Sequence, residues 1–187
     1  MIEERRKEKE DVMMRRIFVA LVLSVVCITQ AWAQGQVDLD RLEEKISRHI
    51  ETKMPGWTHR RGEPMLNSTN VLIEVWSFPE KGVKIQIVPY KSAQEAREVI
   101  RGFLRYESDK EELKGLADEA YAWGVRRADV VFVRGRFIVY VEAGANIDAD
   151  PVARMLSGPE RFEREKTEVK RLSNEFAKHL VTAIDLP

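Results

Sequence analysis

Three histidines, the carboxylate pair Asp118-Glu119, one acid-rich loop and a few large aromatics are the side chains in this sequence whose types suit chemistry. His49, His59 and His179 are the only histidines. None stands in an H-x-x-x-H or H-x-x-E-H pattern, the spacings that set two imidazoles around a metal on one helix face. They are expected as solvated surface side chains rather than as ligands or general bases. Asp118-Glu119 precedes Tyr121 and Trp123. Neighbours in a strand point to opposite sides of a sheet, so the two carboxylates do not make an acid–base dyad. A structural role at the entrance to the sheet is expected, and a lone carboxylate of raised pKa is the enzymatic alternative left open. Asn146-Ile147-Asp148-Ala149-Asp150 begins like a calcium loop. Pro151 stands where that loop needs Gly, and Ser157 where it needs a bidentate Glu. A turn feeding a helix cap is the better reading. The chain has no G-x-S-x-G, no S-x-x-K and no Gly-rich phosphate loop. No catalytic residue, metal or cofactor is therefore predicted.

What remains is binding chemistry. Trp76, Tyr121, Trp123 and Tyr140 pair large apolar bodies with polar handles. If several share a sheet face that no helix covers, they line a groove. Core packing is the default for each, and Trp76 is the most ambiguous because it shares a strand face with Glu74 and Phe78. Arg126 and Arg127, with His59-Arg60-Arg61, bind an anion if folding brings them together; solvated loop charge is the favoured reading.

These residues must be held by helices and strands that the pattern shows in outline. Leu39, Leu42, Ile46, Ile50 and Met54 recur at helical spacing, ended by Pro55-Gly56. Residues 57–70 read as a polar loop, and Asn67-Ser68-Thr69 within it is formally a glycosylation sequon, a common chance match. Val71 to Phe78 and Val83 to Tyr90 form a hairpin turned by Pro79 to Gly82, with Gly82 suited to positive φ. Ser92 to Glu95 is a capping box. The helix it opens should bury Ala96, Val99, Ile100 and Phe103. After a charged linker, Glu119 to Trp123 is a short strand. Ala128 to Val133 and Phe137 to Glu142 form a second hairpin that is apolar on both faces, as in strands covered on both sides. Asp150-Pro151 starts a short helix. Ser157-Gly158-Pro159 starts a long one with Phe162, Val169, Leu172, Phe176, Leu180 and Ile184 on one stripe. This order predicts an α+β two-layer sandwich: an antiparallel sheet of four to five strands, with amphipathic helices covering one face.

Composition bounds the rest. The 187 residues are 44% hydrophobic and 33% charged, with 31 basic and 31 acidic side chains. That balance argues against nucleic-acid binding, which usually brings a basic excess. The only long apolar run, Ile17 to Ala33, follows Arg15-Arg16 and ends in Ala31-Trp32-Ala33. This is a basic end, an apolar stretch of secretory length and an A-x-A site, so cleavage is expected between Ala33 and Gln34. Residues 1–33 are read as a signal peptide, with the true start at Met13 or Met14, and 34–187 as one domain. A spanning anchor needs about 20 apolar residues, and this run turns polar at Thr29-Gln30; anchoring by residues 17–33 is the lesser alternative. Cleavage removes Cys27, the only cysteine, leaving a mature chain without disulfide or thiolate chemistry.

Gly115 to Gly124, "GLADEAYAWG", followed by Ala128 to Ala143, "ADVVFVRGRFIVYVEA", resembles small exported bacterial domains. These include uncharacterised lipoproteins, PsbP-like sandwiches and the extracellular sensor domains of some Ser/Thr kinases. The resemblance covers about 30 residues and implies an antiparallel α+β sandwich in the envelope. It carries over no catalytic residue, and the disulfides of the kinase sensors have no counterpart here.

The expectation is a non-enzymatic module exported to the bacterial periplasm or beyond, binding a small ligand, a peptide or an envelope protein. It makes no stable membrane span after cleavage. The alternatives are an envelope hydrolase with a carboxylate-based site and, if the leader is kept, an anchored accessory subunit.

Overall fold

Seven strands pair into one antiparallel sheet in a computed structural model that describes residues 39–63, 70–124 and 128–186. The leader with Ala31, Ala33 and Gln34, the sequon at 67–69, and Arg126 and Arg127 lie outside the described residues. The described residues form one packed unit from Leu39 onward. In chain order the strands are β1 (Thr58–Arg61), β2 (Leu72–Phe78), β3 (Lys81–Pro89), β4 (Glu111–Glu112), β5 (Glu119–Trp123), β6 (Asp129–Arg134) and β7 (Phe137–Ala145). Their order across the sheet is β1-β2-β3-β7-β6-β5-β4. Two meanders are thus joined where β3 pairs with β7, in register from Lys81↔Ala145 to Pro89↔Phe137.

The helices are α1 (described over residues 39–53), α2 (Ala93–Phe103), the short α3 (Pro151–Arg154) and α4 (Gly158–Asp185). Strand alternation sends Val83, Ile85 and Ile87 of β3 to one side, with Val130 and Phe132 of β6. There they meet Leu42, Ile46 and Ile50 of α1 and Leu172, Phe176 and Leu180 of α4 in the main core. Val131 and Val133 of β6 and Ile138 of β7 face the opposite way, against Ala96, Ile100 and Leu104.

Helices therefore pack on both faces, α1 and α4 on one and α2 on the other. This corrects the expected two-layer sandwich with one covered face. The strand count is corrected as well, from four or five to seven. The two additions are the edges. β1 lies in the segment read as a loop and β4 in the charged linker. Neither has apolar alternation, since an edge strand of polar and charged residues needs only one ladder of backbone hydrogen bonds and is protected from further pairing by its charge.

Smaller differences have local causes. In the β2–β3 turn it is Glu80 that takes positive φ, at 63°, and not Gly82. In the β6–β7 turn Gly135 does so, at 56°. Ser92 caps α2 as expected, its hydroxyl accepting from the Glu95 amide at 3.1 Å. The buried stripe of α2 is Ala96 and Ile100, continued by Leu104, while Val99 and Phe103 stay exposed. Phe162 is also exposed, because the first turns of α4 lack the buried positions that begin at Val169.

Candidate functional site

α2 covers the second face of the sheet only in part. Beside its C-terminal end the pleat sets a row of side chains side by side: Gln86 of β3 opposite Tyr140 of β7, Tyr140 opposite Val131 of β6, and Val131 opposite Tyr121 of β5. One pleat further on, Lys84 is opposite Glu142, and Asp129 is opposite Trp123. Phe103, at the last turn of α2, packs edge-on against the Trp123 ring at 4.8 Å and against the Tyr140 ring at 5.9 Å. The result is a recess of about 330 Å³ lined by Gln86, Phe103, Trp123, Asp129, Tyr140 and Glu142. A partly apolar concavity with a few convergent polar groups is the usual form of a small-molecule site.

Two polar groups in this recess are unusual. The Trp123 indole N–H is buried and has no acceptor among the described residues. A buried indole N–H normally finds one. Asp129 is half-buried, and no hydrogen bond or ion pair reaches it among the described residues. Burial pushes its carboxyl up to about 6, and the nearby Glu142 carboxylate adds to the rise. Its position depends on Gly124. Gly124 has φ +76°, and a Cβ there would stand 2.5 Å from the Asp129 Oδ2, so only glycine lets the carboxylate lie against this backbone.

Of the residues singled out in the sequence, Tyr121, Trp123 and Tyr140 share this face. Trp76 does not. It lies on the opposite face, fully buried in the main core, its N–H donating to Glu74 at 2.8 Å. Arg126 and Arg127 are outside the described residues, so no anion site is assigned to them. Phe103, Asp129 and Glu142 were missed. Phe103 looked like a core position on its helix, and Asp129 looked like the polar start of a strand. Only the register that puts Asp129 opposite Trp123 reveals it.

The other chemistry-bearing residues are engaged elsewhere. Asp118 accepts from Arg134 Nη1 at 2.7 Å and from the Gly135 amide at 2.9 Å. Glu119 takes a two-pronged Arg101 contact at 2.9–3.1 Å and the Tyr121 hydroxyl at 2.8 Å. Burial alone would raise Glu119, but these partners outweigh it and hold the carboxyl below its ordinary value. The pair thus clamps α2 and the β6–β7 turn to β5.

Asn146 Oδ1 accepts from the Asp148 amide, and Asp150 caps α3 by accepting from the Val152 amide. The histidines are part-buried rather than fully solvated. His49 Nε2 and His179 Nδ1 meet at 3.3 Å between α1 and α4, and the His59 ring stacks on Trp76 at 4.5 Å. No cluster of three or more metal-ligating side chains occurs among the described residues. A larger, open depression of about 690 Å³ lies between the Glu80 turn and α4. Its charges already satisfy one another, Lys81 with Glu168 at 2.7 Å and Arg164 with Asp150, so the smaller recess carries more unspent chemistry.

No family model matches the chain, and no curated protein or solved structure matches it. The resemblance over Gly115 to Ala143 rests on those residues alone.

Proposed function

We propose that this protein is an exported, non-enzymatic binding module whose ligand enters the recess formed by Phe103, Trp123 and Tyr140. The observation that carries this reading is the aromatic-lined recess itself, which holds a half-buried carboxylate, Asp129, with no hydrogen bond or ion pair among the described residues. Asp118 and Glu119, the carboxylate pair that the sequence offered to a hydrolase, are held by arginines, which leaves Asp129 as the raised carboxyl that the enzymatic alternative would use. Export is the part of the reading that rests on the leader pattern at 15–34. No helix among the described residues is long and apolar enough to cross a membrane.

Two experiments test the proposal. A fragment library screened by proton–nitrogen correlation spectra should give hits that cluster on Phe103, Trp123 and Tyr140. Hits scattered elsewhere, or none, would contradict it. Fractionation and N-terminal sequencing of the expressed precursor should place the mature protein outside the cytoplasm and starting at Gln34. A retained apolar run would favour the anchored accessory subunit.

A further inference from the structure

The recess has a charge pattern that narrows the chemistry of its ligand. Several part-buried carboxylates of the domain have a basic side chain in contact, and the fully buried Glu74 takes the Trp76 indole N–H instead. Asp118 has Arg134, Glu119 has Arg101, Glu43 has Arg61, and Glu168 has Lys81 and Arg171. Asp129 has none among the described residues. The charged group next to it is Glu142, of the same sign, and Lys84, a basic side chain on this face, is 3.9 Å from Glu142. Three aromatic rings surround the same space.

An anionic ligand would meet two carboxylates. A wholly apolar ligand would strip Asp129 of its remaining water and give nothing back, which disfavours the complex. A cation satisfies both halves of the site. It neutralises Asp129, and aromatic faces attract a weakly hydrated ammonium through their quadrupoles.

The geometry points to an organic ammonium ion, alkylated at nitrogen, as the ligand class of the recess built by Phe103, Trp123, Asp129 and Tyr140. This rests on the recess being the binding site.

The probe is choline, titrated by calorimetry and by the Trp123 indole resonance, against the neutral alcohol that carries a tert-butyl group in place of the trimethylammonium. Choline should bind at least about tenfold more tightly than the alcohol, the difference expected when charge and not shape is recognised. Asp129→Asn keeps the size of the side chain and should abolish that preference while leaving the fold intact by circular dichroism. Tyr140→Leu should weaken choline more than the alcohol. The double variant R126Q/R127Q, which removes the two cations between Trp123 and Asp129 in the sequence, should bind choline at least as well as the wild type. Equal binding of choline and the alcohol, or a preference that survives Asp129→Asn, overturns the cation assignment and leaves the binding recess standing. Failure of both probes and of every library fragment to move the Trp123 resonance, in the wild type and in R126Q/R127Q, overturns the recess as well.

Discussion

Glu74 sits in the main core with no exposed surface, on the β2 face that also carries Leu72 and Trp76. One of its oxygens accepts from the Trp76 indole at 2.8 Å, and the other has no partner among the described residues. Burial raises its pKa from the ordinary 4.5 to about 7. The Trp76 bond and Arg61 pull it down, while Glu43 adds to the rise. Between those two values the folded protein holds a proton that the unfolded chain has lost, so stability falls as pH rises through the window. At about 1.4 kcal/mol per pH interval of one, the total loss is about 3 kcal/mol, complete above pH 7 and absent below about 4.5.

Glu74→Gln keeps a carbonyl acceptor for Trp76 and never ionises. Urea unfolding followed by circular dichroism at intervals from pH 5 to 8 should show the variant gaining on the wild type as pH rises, by about 2–3 kcal/mol across the series. Asp129 slopes the same way between 3.8 and about 6, so the comparison is between the two proteins at each pH. Glu168, held down to about 2 first by Arg171 and then by Lys81, acts below this window. A wild-type minus variant difference that stays constant from pH 5 to 8, or a variant less stable than the wild type at pH 8, would refute the reasoning.

Other outcomes follow from the same contacts. Asp129→Asn removes a half-buried charge; after allowance for solvent screening it should stabilise the protein by about 1 kcal/mol at pH 7.5 and by nothing measurable near pH 4, read from denaturant midpoints. Gly124→Ala forces a Cβ against the Asp129 carboxylate at positive φ and should cost about 1–3 kcal/mol in the same assay; an unchanged midpoint would mean the turn is free to relax. Trp76→Phe leaves the Glu74 carboxyl without its one donor and should destabilise by about 1–3 kcal/mol. Its loss should be smaller when combined with Glu74→Leu, and strict additivity would argue against the bond. Burial, then His179, then Lys53 hold His49 below its ordinary 6.5. In an NMR titration His179→Gln should raise the His49 pKa, and no movement would mean that the two rings do not interact.

Much of the scaffold was legible because burial writes itself as periodicity. The stripe of α1 was readable residue by residue from Leu39 to Met54, and Val83, Ile85 and Ile87 gave the inward face of β3. The double-sided apolar run of β6 already required cover on both faces, since Val130 and Phe132 cannot share a side with Val131 and Val133. The helix on the second face was therefore implied by residues read as covered on both sides, although the helices were expected on one face only. β1 and β4 were not legible: Thr58–Arg61 and Glu111–Glu112 are held by backbone pairing at an edge, which leaves no apolar signature. The site was half legible. Tyr121, Trp123 and Tyr140 stand out by type, but which face each one occupies depends on register. Phe103, Asp129 and Glu142 join them only through tertiary packing, and Trp76, equally prominent in the sequence, lies with Leu72 on the inward face of β2.

The most direct measurement of the central claim is the indole region of the proton–nitrogen correlation spectrum during a choline titration, with the Trp123 peak assigned through Trp123→Phe. The account predicts that the Trp123 indole shifts progressively with choline, that the Trp57 and Trp76 indoles stay in place, and that the neutral tert-butyl alcohol gives a weaker response. A Trp123 peak unmoved by either compound or by any fragment, or a shift confined to Trp57 and Trp76, would contradict it.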